Sequence, residues 1–136
     1  MSHHLTGTFE VTSWDEHDSI ELGGSVKVTV ARFAQRFDGD VNAETIADMA
    51  MTYLPDGGAV FVGYHRVAGT IDGRSGTLVL RAEGEFDGAE ARTSFAVVAG
   101  AGTGELAGVT GSGRATAGHG STGTYTFDLE LGPPAT

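Results

Sequence analysis

Short segments in which apolar and polar residues alternate, separated by glycine turns, constrain the fold of this chain most strongly. In the last of them, aromatic or aliphatic side chains occupy every second position from Tyr125 to Leu131. Because successive side chains of a strand point to opposite faces, this pattern predicts a β-strand with one buried face. Asp-Gly pairs at residues 38–39, 72–73 and 87–88 are typical of the turns of β-hairpins. The chain is therefore expected to form antiparallel sheet.

Eight such segments fit between the turns, near residues 6–15, 26–38, 41–54, 59–70, 74–86, 89–99, 104–116 and 121–131. The third also suits a helix, but its place between two turn signals favours a strand with Met49, Met51 and Tyr53 on one side. A meander of long strands hides its two edges by closing into a barrel. We predict one all-β domain over residues 1–136, an eight-stranded antiparallel up-and-down barrel of the lipocalin-like type; a two-sheet sandwich is the alternative.

Two interruptions of the alternation are expected. The apolar face shifts between Val30 and Phe33, which predicts a β-bulge near Ala31 and Arg32. Residues 15–18, which follow Trp14, are polar and predict a loop anchored by that one aromatic side chain. A lid over the barrel mouth, with Trp14 as its plug, is the alternative for the same residues.

Charge and composition exclude several classes of function. The net charge of −10 and the single lysine, Lys27, disfavour nucleic acid and anionic membranes as partners, since both attract basic proteins. The absence of cysteine excludes disulfides and thiolate chemistry. Residues 1–10 lack the regions of a signal peptide, and no apolar run approaches the length of a membrane helix. A soluble cytoplasmic protein is expected.

The segment GAGTGELAGVTGSG, residues 100–113, has the glycine spacing of a dinucleotide-binding loop at Gly102, Gly104 and Ala107. Such a loop requires a helix after the turn. The four glycines from Gly104 to Gly113 would each destabilise that helix by about 1 kcal/mol relative to alanine. We interpret the segment as a tight turn followed by a bent barrel strand, and no cofactor is predicted.

Three stretches of the chain resemble a bacterial family, domain of unknown function 3224: HHLTGTFEVTSWDE (3–16), FVGYHRVAGTIDGRSGTLVL (61–80) and residues 100–113. The resemblance implies an allene oxide cyclase-like barrel. The wider group includes plant allene oxide cyclases, dirigent proteins and bacterial cyclases of polyketide pathways, which enclose an apolar substrate and direct its ring closure or coupling. The resemblance thus implies a cofactor-free cyclase or isomerase, although the activity of the family itself is unassigned.

Three residues are candidates for catalysis because each lies on the apolar face of its strand: His65, Tyr53 and Tyr125. A desolvated imidazole can act as a base, and a phenol can stabilise an enolate by a hydrogen bond. Simple core packing is the alternative for each. Large apolar side chains expected to bind the substrate are Trp14, Met49, Met51, Phe61, Phe95 and Phe127. No metal site is predicted, because His3, His4, His17 and His119 lack the spacing of metal ligands.

Three functions remain open at this point. The first is a cyclase or isomerase acting on a small apolar molecule in the barrel lumen. The second is a lipocalin-like carrier or sensor without catalysis, and the third is a scaffold whose barrel is filled by its own side chains. A cavity of several hundred Å3 would favour the first two. A homo-oligomer, dimer or trimer, is also expected, through outward-facing Val26, Val28, Val30, Val60 and Val62.

Overall fold

The computed structural model describes residues 2–118 and 122–131, and within them it contains nine strands and no helix. The strands are β1 (Ser2–Gly23), β2 (Val26–Gly39), β3 (Val41–Tyr53), β4 (Ala59–Ile71), β5 (Arg74–Phe86), β6 (Ala91–Val97), β7 (Thr103–Gly104), β8 (Thr110–Ala117) and β9 (Thr122–Glu130). Residues 119–121, which begin at the connection between the predicted strands 104–116 and 121–131, lie outside the described residues.

Eight of these strands form a closed antiparallel ring. Each pairs with its neighbour in the chain, except that β6 pairs with β8, and β9 closes the ring by pairing with β1. The two residues of β7 add only a short ladder to one end of β5, at Gly76 and Thr77. The prediction of an all-β, eight-stranded antiparallel barrel is confirmed. Strand β3 is also as predicted, with Met49 and Met51 buried and Tyr53 packed against the core.

The predicted bulge at Ala31 and Arg32 is wrong. Strand β2 pairs with β3 without any shift of register from Lys27 to Phe37. Its inner face is continuous, because Thr29, Ala31 and Phe33 are all buried, while Val30 points outward and is 40% exposed. The irregularities lie instead in β1, where the register against β2 shifts at three places: between Val11 and Ser13, between His17 and Ile20, and between Glu21 and Gly23.

The predicted polar loop at residues 15–18 is wrong as well. β1 continues through these residues to Gly23, hydrogen-bonded to β2. Its pairing with β9 ends at Glu10, so within the described residues the second half of β1 has a strand neighbour on one side only. Polar side chains suit such an edge segment, which explains why the local sequence has the composition of a loop.

The predicted strand 104–116 is only partly correct, because residues 105–109 form a turn and β8 begins at Thr110. Backbone bonds from Leu106 N to Thr103 O (3.1 Å) and from Val109 N to Leu106 O (3.3 Å) hold this turn. It buries Leu106 and Val109 completely in the core. A side chain on Gly102 would meet the Leu106 carbonyl oxygen at 2.2 Å, so the glycine permits the close approach.

The interior of the barrel is divided into two halves. The end that contains the β2–β3 and β4–β5 turns is packed solid, and the void left there is only about 10 Å3. Side chains of this closed half include Phe37, Val41, Val67, Ile71, Leu78 and Leu129. Burying each of them contributes roughly 1.5–3 kcal/mol to folding. The closed half therefore carries much of the apolar stabilisation of the fold.

The outer face of the barrel exposes several valines of β2 and β4. Val30 and Val62 both lie opposite Ala50 of β3, and they are 40% and 50% exposed. Val60 is 43% exposed, whereas Val26 and Val28 are half-buried. The predicted homo-oligomer through these residues stays a prediction.

Candidate functional site

The open end of the barrel contains a cavity of about 410 Å3. It lies between the inner faces of β1 to β6 and β8, at the end that carries the β1–β2 and β3–β4 turns. Its larger apolar lining residues include Phe9, Trp14, Phe33, Met49, Met51 and Phe61. Two of its polar lining residues are Gln35 and Tyr53. A volume of this size is typical of sites for small molecules.

Inward-facing glycines explain why this half of the barrel is hollow. A side chain on Gly84 would meet the ring of Phe61 at 2.7 Å, and one on Gly63 would meet the Met49 sulfur at 2.8 Å. The large side chains of neighbouring strands therefore lie flat over these glycines along the barrel wall. Ala31 and Ala82, which are fully buried on the same face, add little volume. The lumen stays open because small residues face it.

The mouth of the cavity holds a hydrogen-bonded group centred on Glu16. Its carboxylate accepts hydrogen bonds from the Thr29 hydroxyl (2.5 Å), the Trp14 indole nitrogen (3.2 Å) and the Tyr53 hydroxyl. Glu16 faces inward because it lies opposite Ala31 in the β1–β2 ladder. The strand geometry thus brings a carboxylate to a place where the sequence predicted a polar loop.

The two acidic groups of this cluster differ in charge at neutral pH. Burial alone would raise the pKa of Glu16, but the hydrogen bonds from Thr29, Tyr53 and Trp14 outweigh it and lower the pKa below 4.5. Burial and the bond to Glu16 raise the pKa of Tyr53 to about 12. Glu16 is therefore ionised and Tyr53 protonated. A carboxylate that already accepts three hydrogen bonds is a weak base, so its main effect is to position Trp14 and Tyr53.

Sequence reasoning missed Glu16, although a signal was present. Trp14 and Glu16 are two residues apart, and so they share one face of any strand that contains them. Reading residues 13–23 as a strand would have placed Glu16 beside Trp14 on the inner face. The acidic neighbours Asp15 and Asp18 favoured the loop interpretation instead.

Trp14 forms one flat wall of the cavity. Its ring lies parallel to that of Phe33, with centroids 4.6 Å apart and planes 13° apart. Trp14 is 49% exposed, whereas Phe33 is buried. Of the predicted binding residues, Trp14, Met49, Met51 and Phe61 line the cavity, whereas Phe95 and Phe127 are buried in the core and do not.

His65 is buried in the barrel interior but is not among the residues that line the cavity. Its ring meets Phe33 and Phe95 edge-on, with centroid distances of 5.7 and 5.1 Å. Within the described residues, its Nδ1 has no hydrogen-bond partner. Burial lowers the pKa of His65 from 6.5 to about 4, so the imidazole is neutral near pH 7.

Tyr125 lies in the closed half, away from the cavity. Its hydroxyl accepts a hydrogen bond from the Val41 backbone nitrogen (2.9 Å) and donates to the Asp38 carbonyl (2.8 Å). These bonds fasten β9 to the turn between β2 and β3. Of the three predicted catalytic residues, the structure brings only Tyr53 to the cavity.

Comparison with known proteins agrees with this architecture. A family described as "Protein of unknown function (DUF3224)" matches residues 5–129 of the chain. The chain belongs to the DUF3224 family. The crystal structure of a DUF3224 protein of unknown function from Shewanella oneidensis MR-1 is similar, with 26% sequence identity and a TM-score of 0.82. The similarity covers 98% of this chain and 100% of that one. No curated protein matches the chain.

Over the residues that the structure describes, this DUF3224 barrel lacks a metal-binding cluster and a membrane-spanning helix. Over residues 2–118 and 122–131, the histidines, aspartates and glutamates form no group that could hold a metal ion. His119, one of the histidines considered in the sequence, lies outside these ranges. In the same part of the chain, no helix is long and apolar enough to cross a membrane.

Proposed function

We propose that this DUF3224 barrel binds a small, largely apolar molecule in the cavity at its open end. The observation that carries the proposal is the cavity itself, about 410 Å3 lined mainly by aromatic and methionine side chains beside a half that is packed solid. A barrel that served only as a scaffold would gain stability by filling both halves. The hollow half is therefore best explained by a ligand.

The lining favours a flat ligand. Aromatic rings bury a large area and prefer offset stacking with other rings, and Trp14 and Phe33 already form such a stack at the mouth. Met49 and Met51 of the neighbouring strand β3 give the lining an adaptable surface, since methionine has several rotatable bonds. Aromatic or conjugated molecules suit a lining that combines rigid aromatic rings with flexible methionine side chains.

The cyclase or isomerase activity implied by the allene oxide cyclase-like resemblance is the second candidate function. The observation in its favour is Tyr53, a protonated phenol at the cavity that Glu16 holds in place. Its proton is donated to Glu16, however, so that bond would have to be exchanged before Tyr53 could donate to a substrate carbonyl. This arrangement supports binding more than catalysis.

A neutral fluorescent probe, N-phenylnaphthylamine, tests the proposal. We expect saturable binding of one probe molecule per chain, measured by the increase in probe fluorescence. Val11→Trp places a large side chain on the half-buried lining of the cavity and should abolish binding, whereas Val62→Trp adds the same side chain to the outer face and should not. Circular dichroism verifies that both variants are folded. Equal binding by the two variants, or no saturable binding by the unaltered chain, would refute the proposal.

A further inference from the structure

One buried polar group in the cavity wall has no partner. The side chain of Gln35 lines the cavity and is only 9% exposed, and its Oε1 makes no hydrogen bond within the described residues. A buried carbonyl oxygen without a partner is rare, because leaving it unsatisfied costs free energy. Gln35 is therefore either a local defect or half of an interaction that a ligand completes.

A second group of the same kind lies beside it. Thr45 is directly opposite Gln35 in the β2–β3 ladder, and residues opposite each other in an antiparallel pair have Cβ atoms about 4.5–5.5 Å apart. Thr45 is 1% exposed, and its Oγ1 also lacks a hydrogen-bond partner within the described residues. Gln35 and Thr45 thus place two buried polar groups that lack hydrogen-bond partners side by side on the inner face of the barrel.

The positions of Gln35 and Thr45 along their strands determine which end of a ligand they would contact. Along β2, Gln35 is two residues further from the mouth than Phe33, which stacks with Trp14. Along β3, Thr45 is likewise further from the mouth than Met49 and Met51. Gln35 therefore lines the inner end of the cavity, and Thr45, which is not itself a lining residue, lies next to it on the inner face of the barrel.

We propose that Gln35 and Thr45 bind the hydroxyl group of a neutral, flat aromatic molecule that enters the cavity with this group first. This inference rests on the proposed binding function and specifies its ligand class. A hydroxyl both donates and accepts, so it can donate to Oε1 of Gln35 and accept from the hydroxyl of Thr45. An aromatic body would then extend toward the stacked rings of Trp14 and Phe33 at the mouth.

Charge selects a neutral ligand. None of the described residues that line the cavity is lysine or arginine, so a carboxylate at its inner end would be buried without a counter-charge. The ionised Glu16 at the mouth would also repel an anion. Glu16 does not favour a cation at the inner end of the cavity either, because three hydrogen bonds hold the Glu16 carboxylate at the mouth.

Competition against N-phenylnaphthylamine tests the inference with naphthol and its methyl ether, methoxynaphthalene, as competitors. The ether keeps the aromatic body but lacks the hydroxyl hydrogen that would be donated to Oε1 of Gln35 in a hydrogen bond. We expect the unaltered chain to bind naphthol about tenfold more tightly than the ether, which corresponds to about 1.4 kcal/mol. Gln35→Leu should abolish this preference while still binding the ether.

Thr45→Val, which replaces the hydroxyl by a methyl group of similar size, should weaken naphthol binding severalfold. Thr8→Val, at an exposed position of β1, is the matched control and should leave the preference intact. If Gln35→Leu does not fold, the preference of the unaltered chain and the effect of Thr45→Val still decide the question. Equal binding of naphthol and ether, no displacement of the probe by naphthol, or a preference that survives Gln35→Leu would overturn the inference. A probe that does not bind saturably would instead refute the proposed function.

Discussion

The indole ring of Trp14 covers the phenyl ring of Phe33, with their centroids 4.6 Å apart. The contact joins the two strands at the point where the pairing of β1 with β9 has ended and where, among residues 2–118 and 122–131, β1 pairs with β2 alone. Trp14 is also the single tryptophan of the chain. One aromatic pair therefore supports the edge segment of the barrel and provides a spectroscopic signal at the mouth of the cavity.

Replacing Trp14 should weaken ligand binding through the loss of this wall. We expect Trp14→Ala to raise the dissociation constant of N-phenylnaphthylamine about twofold to tenfold, since an aromatic pair contributes roughly 0.5–1.5 kcal/mol. Trp14→Phe keeps a ring on Phe33 and should bind the probe nearly as well as the unaltered chain. Titration of both variants by probe fluorescence measures the difference, and equal losses in the two variants would contradict it.

Glu16 should make the fold sensitive to acid. Its folded-state pKa is lowered by hydrogen bonds, so the stability it contributes is present above pH 4.5 and is lost as the pH falls through the lowered pKa. Glu16→Gln should cost less than about 1 kcal/mol at pH 7, because the carboxylate remains partly in contact with solvent. Urea unfolding at pH 7 and at pH 3 should show a smaller deficit at pH 3 than at pH 7. The exposed Glu21→Gln is the control, and a deficit of equal size at both pH values would argue against this role.

His65 should produce a second acid-dependent loss, at higher pH. Its folded-state pKa of about 4 lies below the ordinary value of 6.5, so between these values the unfolded chain binds more protons than the folded one. The fold should lose on the order of 3 kcal/mol as the pH falls from 6.5 to 4, since a tenfold change in proton affinity corresponds to about 1.4 kcal/mol. His65→Leu should not show this part of the loss in urea unfolding. His4→Gln, at an exposed position, should still show the loss between pH 6.5 and 4.

Leu106 should be essential to the closed end. It is fully buried in the turn between β7 and β8, and removing a buried leucine side chain typically costs 2–5 kcal/mol. Leu106→Ala should lower the free energy of unfolding in urea by this amount. Leu22→Ala, at a position that is 63% exposed, should change it by less than about 0.5 kcal/mol. Similar effects of the two substitutions would show that the turn does not contribute to the core.

The fold could be predicted from sequence where burial follows from a local alternation. Phe127 and Leu129 alternate with exposed or half-buried residues in β9, so the local sequence alone indicates which face of this strand is buried. The second half of β1 could not be predicted in this way, because its strand structure depends on β2 rather than on its own polar residues. The burial of Leu106 within a glycine-rich turn is likewise a tertiary effect that no periodicity reveals.

The candidate site was harder to predict than the fold. Met49, Met51, Phe61 and Trp14 could be assigned to a lining because they are large and apolar. Gln35 could not, since a polar residue on an inner face breaks the pattern used to recognise that face. The space itself is created by Gly63 and Gly84, whose inward positions become meaningful only when the rings and side chains above them are known.

The barrel keeps many of the residues that stabilise its fold in one half and the residues that line its cavity in the other. Trp14 and Phe61 line the cavity, whereas Leu106 is buried in the turn before β8, so substitutions at the first two are expected to change the pocket and to leave the packing around Leu106 intact. On the proposed binding function, a chain built in this way would exchange one ligand for another through a few changes at the mouth of the cavity and keep its fold.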